Sequence, residues 1–489
     1  MASPGRWLDD RIDLRGIRRA LLDRNVPDHL TWWHTLGSAT LTVFVVQVIT
    51  GAVLATFYSP SPDHAYESVR YIEQGVRAGG LVRGMHRWAA SFMVVLALAH
   101  MVRVFSMGAY KYPREPNWLI GVALFLLVMA FGFTGYLLPW DQKAYWATQV
   151  GTSMAGTAPG IGPFLVTLLR GGVQLGAATL SRFYALHVLW LPLALGIAVL
   201  LHLTLVVRQG IAPRTTALER NAPRRTTDAG YSAYYRDAYA ETKRGGVLFW
   251  PDIIGKDLIV ATVVIALIVL LAMTFGAGLE APADPTDTSY VPRPEWYFLP
   301  FFQLLKLFPG KMESAVAIGV PLLLVLTLIG LPFFDTRSKR SLRHRPVAIA
   351  SLVVLLGGSG FLLGAAIRED AGRQKPEAGI LLTSAQRAGR AAFAQQQCGS
   401  CHKVRGEGGE EGPDLTDIGL HRSPAWLHSY IELPKRFHPD ADMPAFGPPV
   451  LTHQEIEEIA QYLAALRGPP GSLARPDIHD TFPEPIKRQ

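Results

Sequence analysis

Four histidines in two apolar stretches have the spacing that a paired metal site on two helices requires. His86 and His100 lie 14 residues apart, and His187 and His202 lie 15 residues apart. On a helix these steps span about 21 Å along the axis and turn the side chain by roughly −40° and +60°. Each pair therefore lies on one side of its helix, and two such helices place opposed imidazoles at two levels. Because ionisable groups in apolar spans are candidate functional groups, the spacing indicates two bis-histidine haem sites, with proton relay as the alternative.

Glycines and arginines near these histidines fit the same interpretation. Four glycines repeat the 14-residue spacing within their own apolar stretches: Gly37 and Gly51, and Gly121 and Gly135. Glycine lets a backbone approach a flat, bulky ligand, although it is also common where membrane helices pack. Arg83 and Arg87 flank His86, and Arg182 precedes His187. These three arginines are expected to contact haem propionates; the alternative is that they only mark the ends of helices.

The only two cysteines lie in the motif Cys398-Gly399-Ser400-Cys401-His402. This pattern is typical of covalent attachment of a c-type haem, in which both cysteines form thioethers and the histidine ligates the iron. A zinc site would need two further ligands at regular spacing, and a redox dithiol would need a strand–helix unit around it. Neither is evident, so the sequence predicts one c-type haem.

The second axial ligand of that haem is expected further along the chain. Met443 lies in a proline-rich stretch, and thioether ligation raises the iron potential, which suits an electron acceptor. The alternative ligands are four histidines of the same region: His421, His428, His438 and His453. Met443 is the preferred candidate.

The composition indicates what positions these groups. Of 489 residues, 49% are hydrophobic and only 18% are charged, whereas soluble proteins carry about 25% charged residues. Seven apolar runs reach the length of about 20 residues that crosses a bilayer: 32–57, 80–105, 117–138, 180–206, 253–275, 315–334 and 346–367. Seven such runs exceed what a soluble core needs, so the chain is predicted to be an all-α membrane protein.

Charge predicts the orientation of these spans. Residues 1–368 carry a net charge of +12 and residues 369–489 a net charge of −4. If the N-terminus is cytoplasmic, the inner segments hold 23 Lys and Arg and the outer segments hold 10, as the positive-inside rule requires. The acidic tail then lies on the outer face, no cleavable signal is apparent, and the basic charge needs no nucleic acid partner.

Several motifs resemble cytochrome b of the quinol–cytochrome c reductase (cytochrome bc) complexes. They are Gly84-Met85-His86-Arg87-Trp88, Gly135-Tyr136-Leu137-Leu138-Pro139-Trp140-Asp141-Gln142, Arg182-Phe183-Tyr184-Ala185-Leu186-His187 and Pro294-Glu295-Trp296-Tyr297. The 15-residue histidine spacing is similar to that of the plastid and cyanobacterial form, in which cytochrome b is split into two chains. Here both pieces are joined, and the tail resembles a class I cytochrome c, including Gly412-Pro413-Asp414-Leu415 and helices near 384–397, 424–432 and 453–466.

The resemblance implies a seven-span helical bundle, made of a four-helix haem-binding bundle and a three-helix unit, with a small α-helical cytochrome c domain. The expected boundaries are a cytoplasmic segment 1–30, the di-haem domain 31–210, a cytoplasmic linker 211–246, the three-helix quinol-site domain 247–367, a tether 368–383, the cytochrome c domain 384–470 and a tail 471–489. The location implied is the bacterial inner membrane, with the cytochrome c domain on the periplasmic face.

Roles follow from the family. His86 with His187 would bind the b-type haem nearer the outer face, and His100 with His202 the one nearer the cytoplasm. Quinol oxidation would use a loop helix around 151–163 and the side chains of Tyr136, Pro294, Glu295, Trp296 and Tyr297, with Glu295 as proton acceptor. Arg208 and Asp252 are weaker candidates for the quinone-reduction site. The plastid-like form attaches an extra haem through a cysteine in its first span, but that thioether is excluded here because His34-Thr35-Leu36-Gly37 contains none.

The implied partners are a Rieske iron–sulfur protein, a cytochrome c acceptor, the quinone pool, the lipid bilayer and a second copy of the complex as a homodimer. The activity would be Q-cycle electron transfer from quinol to the tail haem, with proton translocation. Two alternatives stay open. One is a di-haem membrane anchor of another quinone-linked oxidoreductase, such as a formate dehydrogenase or hydrogenase, which would lack the Pro-Glu-Trp-Tyr motif. The other is a transporter whose histidines move protons.

Overall fold

The computed structural model describes residues 4–23, 25–213, 215–219, 221–285, 290–372, 382–404, 407–409 and 411–466. Contacts within the chain divide it into two units, one of Met1–Leu279 with Arg293–Gly364 and one of Glu280–Pro292 with Ala365–Gln489. The first unit contains the predicted spans, and the second contains the cysteine motif. Most of the predicted tether (373–381) and the predicted tail (471–489) fall outside the described residues.

Seven helical spans long and apolar enough to cross a membrane occur in the described residues, which confirms the predicted all-α, seven-span fold. They are Trp32–Ala55, Gly79–Ser106, Glu115–Tyr136, Ala177–Gln209, Phe249–Phe275, Met312–Phe334 and Pro346–Glu369. Each begins and ends close to its predicted position. These spans are built from α3 (Leu36–Ala55), α5 (Gly79–Ser106), α6 (Glu115–Tyr136), α9 and α10 (Ala177–Ala185, Leu191–Gln209), α13 (Ile254–Phe275), α15 (Lys311–Phe334), and α16 and α17 (Pro346–Leu352, Gly358–Gly372).

The fourth span contains a widened turn at one of the candidate ligands. A π-helical segment, Leu186–Trp190, joins α9 to α10 and contains His187. Pro192 follows directly, and because proline has no N–H, one hydrogen bond of the helix is missing there. Such single-turn π segments occur frequently at functional sites.

Shorter elements connect the spans. The helices are α1 (Pro4–Ile12), α2 (Leu14–Leu21), α4 (Ala65–Gln74), α7 (Gln142–Gly156), α8 (Gly162–Arg170), α11 (Thr215–Glu219), α12 (Tyr231–Arg244) and α14 (Leu299–Leu305). Strands β1 (Asn25–Val26) and β2 (Val247–Leu248) pair antiparallel. The predicted linker 211–246 therefore has helical structure of its own, in α11 and α12.

The first unit packs around side chains from spans one, two, three, four and five. Its central cluster includes Val43, Ala89, Val128, Leu195 and Ile268. Long aliphatic side chains on the opposite helix faces stay exposed, as with Leu200 at 67%. Lipid tails are as apolar as leucine, so such outward faces are expected of spans that contact the bilayer.

The second unit is a small helical domain. Its helices are α18 (Ser384–Gln395), α19 (Pro424–Glu432), α20 (Pro434–Phe437) and α21 (His453–Ala464), with strands β3 (Lys403–Val404) and β4 (Glu407–Gly408). Side-chain caps at Thr383, Ser423 and Thr452 begin three of these helices where the sequence predicted them. Helices α18 and α21 cross closely because Gly389 has no Cβ, which would overlap the backbone of Glu458.

Candidate functional site

The four span histidines form two opposed pairs. The ring centroids of His86 and His187, the first pair, are 6.3 Å apart, and those of His100 and His202, the second pair, are 6.4 Å apart. Iron–nitrogen bonds of roughly 2 Å on both sides of one metal, plus ~1.1 Å from each nitrogen to its ring centroid, give a separation of about 6.2 Å. Both pairs therefore have the separation that one iron with two axial imidazoles requires.

The four predicted glycines lie against these rings. A Cβ added at Gly37 would lie 3.1 Å from Cε1 of His100, and one at Gly51 would lie 3.2 Å from Cε1 of His86. A Cβ at Gly121 would lie 3.8 Å from the ring of His202, and one at Gly135 would overlap the ring of His187. The first and third spans thus leave space at both histidine levels, which is the space that a flat macrocycle between the spans needs.

Two threonines fix the rings of the first pair. Oγ1 of Thr50 lies 2.9 Å from Nδ1 of His86, and Oγ1 of Thr134 lies 3.2 Å from Nδ1 of His187. Each hydroxyl donates its own hydrogen to a helix carbonyl, Thr50 to Val46 and Thr134 to Ala130, so it accepts from the ring. The proton of each ring is then on Nδ1, and Nε2 keeps the lone pair that ligates a metal.

The second pair lacks such threonines. Nδ1 of His100 is buried without a hydrogen-bond partner among the described residues, whereas the ring of His202 faces the backbone of Asn117. Arg103, one turn after His100, also has a buried Nε without a partner in that part of the chain. Unpaired buried polar atoms are rare in folded proteins, so this region has the donors and acceptors of a site that binds a polar group. The sequence did not predict Arg103, because it follows the second histidine of its span, His100, rather than the first.

The three arginines predicted to meet propionates have partners within the protein. Arg83 pairs with Glu73 and donates 2.7 Å to the carbonyl of Gly278. Arg182 donates to the carbonyls of Thr167 and Leu168 at 2.9 and 2.6 Å. Arg87 forms an ion pair with Glu295, described below. Their role toward propionates stays a prediction.

Glu295 lies between two cations. Its side chain is 9% exposed, with Oε2 2.8 Å from Arg87 and Oε1 3.0 Å from Nζ of Lys143. Burying a carboxylate is costly unless it is paired and hydrogen-bonded, and these two cations supply both kinds of contact. The sequence predicted Glu295, but it did not predict Lys143, which lies 152 residues away along the chain.

The rest of the Pro-Glu-Trp-Tyr segment, which begins at Pro294, packs against spans two and three. Nε1 of Trp296 donates 3.3 Å to Oγ of Ser91, and the hydroxyl of Tyr136 donates 2.9 Å to the carbonyl of Arg293. Burial raises the pKa of Tyr297, and the negative charge of Glu295 raises it further. The structure therefore brings together the five residues predicted for quinol oxidation.

The loop helix predicted around 151–163 has different bounds. Helix α7 ends at Gly156, a turn follows at 157–161, and α8 begins at Gly162. Pro159-Gly160 is the turn signal that the prediction overlooked. Arg170 closes this helical hairpin by donating to Thr152 and Ser153, both at 2.7 Å.

A cavity of about 400 Å³ includes the second pair, because both rings, His100 and His202, and the glycines beside them, Gly37 and Gly121, line it. The same cavity extends to a polar group made of His34, Ser38, Arg103 and Asp257. Oγ of Ser38 donates 2.6 Å to Oδ1 of Asp257, and the backbone N–H of Thr31 donates 3.1 Å to Nδ1 of His34. Because Nδ1 of His34 accepts, its ring proton is on Nε2.

The two weaker candidates from the sequence, Arg208 and Asp252, do not line this cavity. The acidic group in its wall is instead Asp257, five residues beyond Asp252. Since Ser38 and Asp257 are 219 residues apart, their pairing depends on the packing of the first span against the fifth.

In the second unit the surroundings of His402 are compatible with the role that the motif predicts for it. Nδ1 of His402 lies 2.9 Å from the carbonyl of Pro413, so Nε2 is left with a lone pair that could ligate a metal. A Cβ at Gly412 would lie 2.6 Å from the ring of His402, so this glycine gives the ring its space. Cys398 and Cys401 form no disulfide in the part of the chain that the structure describes.

Met443 packs against the apolar core of this unit. Its loop is held by backbone hydrogen bonds, including one of 3.1 Å from the N–H of Phe446 to the carbonyl of Ile431. The competing histidines have other neighbours: His421 lies 3.2 Å from Asp417, His428 and His453 stack on each other, and His438 contacts Tyr430. Met443 stays the predicted second ligand.

Comparisons with known proteins agree with this arrangement. Three family models match the chain: "Cytochrome b/b6/petB" over residues 21–210, "Cytochrome b(C-terminal)/b6/petD" over 282–384 and "Cytochrome c" over 386–467. A solved structure described as "Hyperthermophilic respiratory Complex III" is 27% identical, covers 74% of this chain and 91% of its own, and has a TM-score of 0.64.

Curated relatives match the same regions. The menaquinol:cytochrome c reductase cytochrome b subunit of Geobacillus thermodenitrificans is 44% identical over 42% of this chain and 96% of its own length. Cytochrome b6 of Chlamydomonas reinhardtii is 42% identical with the same coverage. The cytochrome bc complex cytochrome b subunit of Chlorobaculum thiosulfatiphilum is 35% identical over 71% of this chain and 77% of its own length. The chain is therefore a multi-pass membrane oxidoreductase subunit with haem-binding domains, and it belongs to the cytochrome b family of cytochrome bc complexes, with a cytochrome c domain after its last span.

Proposed function

We propose that this chain is the fused cytochrome b and cytochrome c subunit of a proton-translocating quinol–cytochrome c oxidoreductase. The observation that carries the proposal is the matched separation of the two histidine pairs, 6.3 and 6.4 Å, in a chain that also contains a Cys-x-x-Cys-His motif. Proton relay alone does not require rings held at an iron-spanning distance at two levels.

The residues present fit three haems. The first pair, His86 and His187, would hold one b-type haem, and the second pair, His100 and His202, would hold another. Cys398, Cys401, His402 and Met443 would hold the c-type haem. When bound, these groups supply one-electron carriers, which a two-electron donor such as quinol needs if its electrons are to leave separately.

The quinol-oxidation site is proposed at Glu295. A quinol hydroxyl must lose its proton as it is oxidised, and a carboxylate within hydrogen-bond reach is the group to accept it. Tyr136 and Trp296 fix the segment on both sides by hydrogen bonds to Arg293 and Ser91. Pro294 and Tyr297 are the remaining residues of the proposed quinol-oxidation site. One electron would leave to a Rieske iron–sulfur protein, a partner that is not part of this chain.

The quinone-reduction site is proposed at the polar part of the cavity that includes the second pair, where His34, Ser38, Arg103 and Asp257 line it. Nε2–H of His34 would donate to a quinone carbonyl, and Asp257, hydrogen-bonded to Ser38, would deliver a proton. Arg103 adds a positive charge to the same cavity, which favours the negative charge that a quinone acquires on reduction.

The orientation proposed places the N-terminus in the cytoplasm of a bacterium and the cytochrome c domain on the periplasmic face of the inner membrane. The excess of basic residues on the inner segments supports it. Quinol protons would then be released outside and quinone protons taken up inside. The c-type domain would receive the high-potential electron and pass it to a soluble or membrane cytochrome c, and the complex would be a homodimer.

The test is to purify the complex from its native membranes through a tag on this chain and to measure its haems and activity. We expect two b-type haems for each c-type haem in a pyridine haemochrome spectrum. We also expect reduction of added cytochrome c by a short-chain naphthoquinol or benzoquinol. Two b-type haems without this activity would favour a membrane anchor of another oxidoreductase, and a protein without haem would favour a transporter.

A further inference from the structure

Lys143 contacts Glu295 at the proposed quinol-oxidation site but lies outside the Pro-Glu-Trp-Tyr motif, directly after the Gly135–Gln142 motif. It lies in the first turn of α7, whose N-terminus is fixed by Asp141, which accepts 2.8 Å from the N–H of Ala144. From there the side chain reaches across to Glu295, at 3.0 Å. The side chain of Lys143 is 29% exposed and that of Glu295 is 9% exposed, so this contact is partly shielded from water.

The position of Lys143 differs from that of Arg87, the other cation on Glu295. Arg87 lies next to His86 on α5 and also donates 3.3 Å to Oγ of Ser91, so a second contact fixes it. Nζ of Lys143 instead lies 5.6 Å from the ring centroid of Tyr136. A lysine side chain is flexible and its ammonium is a compact point charge. The contact of Lys143 with Glu295 can therefore break while the contact of Arg87 with Glu295 is kept.

The charges at the site do not cancel. Two cations contact one carboxylate, which leaves a net charge of +1 on the group. A positive charge within about 4–6 Å stabilises a carboxylate and opposes its protonation. The charged and titratable groups shown to interact with the carboxylate are Arg87 from α5, Lys143 from α7 and Tyr297 from the Glu295 segment itself. Tyr136 of α6 lies beside Lys143 and donates a hydrogen bond to the backbone carbonyl of Arg293.

We propose that Lys143 is a positioning residue that holds the Glu295 carboxylate directed toward α7 until a quinol hydroxyl takes the place of its ammonium. The proposal rests on the proposed function and adds to it. Oxidation of one quinol to quinone releases two protons and two electrons. The electrons leave to two one-electron acceptors, the iron–sulfur protein and the b-type haem of the first pair. Glu295 accepts one of the protons, and the neighbouring ammonium then favours its release.

The test is the pH dependence of quinol oxidation in the purified complex. The acid limb of kcat/KM reports the protonation of the essential base in the free enzyme. In Lys143→Met the carboxylate loses one of its two cations, so we expect the acid limb to move to higher pH by about 1 unit. Lys143→Arg keeps the charge and should keep the wild-type limb.

Two further variants distinguish the role of Lys143 from a general effect. Lys306→Met removes a lysine whose ammonium lies 5.6 Å from the ring centroid of Phe302 rather than on this carboxylate, and it should leave the limb in place. In a Glu295→Gln background Lys143→Met should cause no further change in kcat/KM, because the carboxylate that the ammonium contacts is gone.

The outcomes separate the two proposals. A wild-type complex without quinol oxidation would refute the proposed function itself. An active wild type with an unshifted acid limb in Lys143→Met would overturn the role of Lys143 alone. If Lys143→Met loses its b-type haem spectrum, Lys143→Gln takes its place, with the same shift expected. Loss of the spectrum in both variants would assign Lys143 a structural role and would also overturn the proposal.

Discussion

Oγ1 of Thr50 lies 2.9 Å from Nδ1 of His86, and Thr134 stands in the same relation to His187 at 3.2 Å. Both threonines directly precede a glycine that lies against the same ring, Gly51 and Gly135. One short motif on the first span and one on the third therefore give each histidine of the first pair both an acceptor for its proton and room for its ring. The second pair has the glycines without the threonines.

This difference predicts a difference in potential. An acceptor at Nδ1 makes an imidazole a more basic ligand and favours ferric iron. Replacing Thr50 with Val removes a hydrogen bond of about 0.5–1.5 kcal/mol. The haem of the first pair should then rise in midpoint potential by about 20–60 mV, at 59 mV per tenfold change. The measurement is a redox titration of the b-type bands.

Thr42→Val is the control, because its hydroxyl bonds only within its own helix, 3.0 Å from the carbonyl of Ser38. Neither b-type band should move in it. A Thr50→Val protein with unchanged potentials would show that the threonine does not act on the ligand.

Gly135 predicts a selective loss of haem. A methyl group there would overlap the ring of His187. A well-packed protein interior cannot accommodate such an overlap unless a side chain is displaced. Gly135→Ala should lose the b-type haem of the first pair and keep the other two, which a pyridine haemochrome assay measures as one b-type haem per c-type haem. Gly196→Ala, where the added Cβ meets nothing within 4 Å, should keep both. A full complement of haem in Gly135→Ala would count against bis-histidine ligation at this level.

Asp257 predicts a defect confined to quinone reduction. Asp257 is the proposed proton donor to quinone, so it contributes to quinone reduction and not to quinol oxidation. Asp257→Asn should slow reoxidation of the b-type haems by added quinone by about a hundredfold or more, the low end of what a positioned proton donor supplies. Stopped-flow absorbance measures this rate. Asp252→Asn, an exposed carboxylate five residues earlier, should reoxidise at the wild-type rate, and equal rates in the two variants would refute the assignment.

Asp335 predicts a contribution to stability that depends on pH. It accepts 2.7 Å from Nζ of Lys111, which is 1% exposed, and 2.5 Å from the hydroxyl of Tyr110. Burial alone would raise the pKa of Asp335, but hydrogen bonds and positive charge from Lys111, Tyr110 and Arg345 outweigh it and lower that pKa. Burial lowers the pKa of Lys111 to about 8, so its ammonium depends on the carboxylate as partner.

Asp335→Asn should therefore cost about 2–4 kcal/mol, because it leaves a buried ammonium without its counter-ion. Thermal unfolding in detergent measures the loss. Since the pKa of Asp335 is lowered on folding, its stabilisation is present above about pH 4 and is lost as the pH falls through the lower, folded value. The variant should lack this acid dependence. Asp237→Asn, an exposed carboxylate on α12, is the control, and an equal thermal midpoint in the two variants would contradict the prediction.

The parts of the fold that depend on local periodicity were predictable. Span length, helix spacing and the Cys-x-x-Cys-His motif each act within a few turns, so they located the seven spans, the histidine pairs and His402. The close approach of Gly51 and Gly135 to the rings was also expected, since a 14-residue repeat keeps both levels on one helix face.

Contacts between distant parts of the chain were not predictable. Glu295 is 208 residues from Arg87 along the chain, and Asp257 is 219 from Ser38. No local pattern marks such pairs, because they are set by how the helices pack. The packing of the linker helix α12 also depends on distant residues. Its buried Tyr231 and Tyr235 accept hydrogen bonds from Arg340 and Arg114, and no local sequence pattern indicates these partners.

The most direct test of the account is an oxidant pulse on the purified complex in the Asp257→Asn form, with excess quinol present. The central claim is that one quinol delivers its two electrons by two routes, one toward the c-type domain and one toward the histidine pairs. A pulse of ferricyanide should oxidise the c-type band while the b-type bands become more reduced within the same turnover. Oxidation of both sets of bands together would contradict the account, because it would place all the haems on a single route.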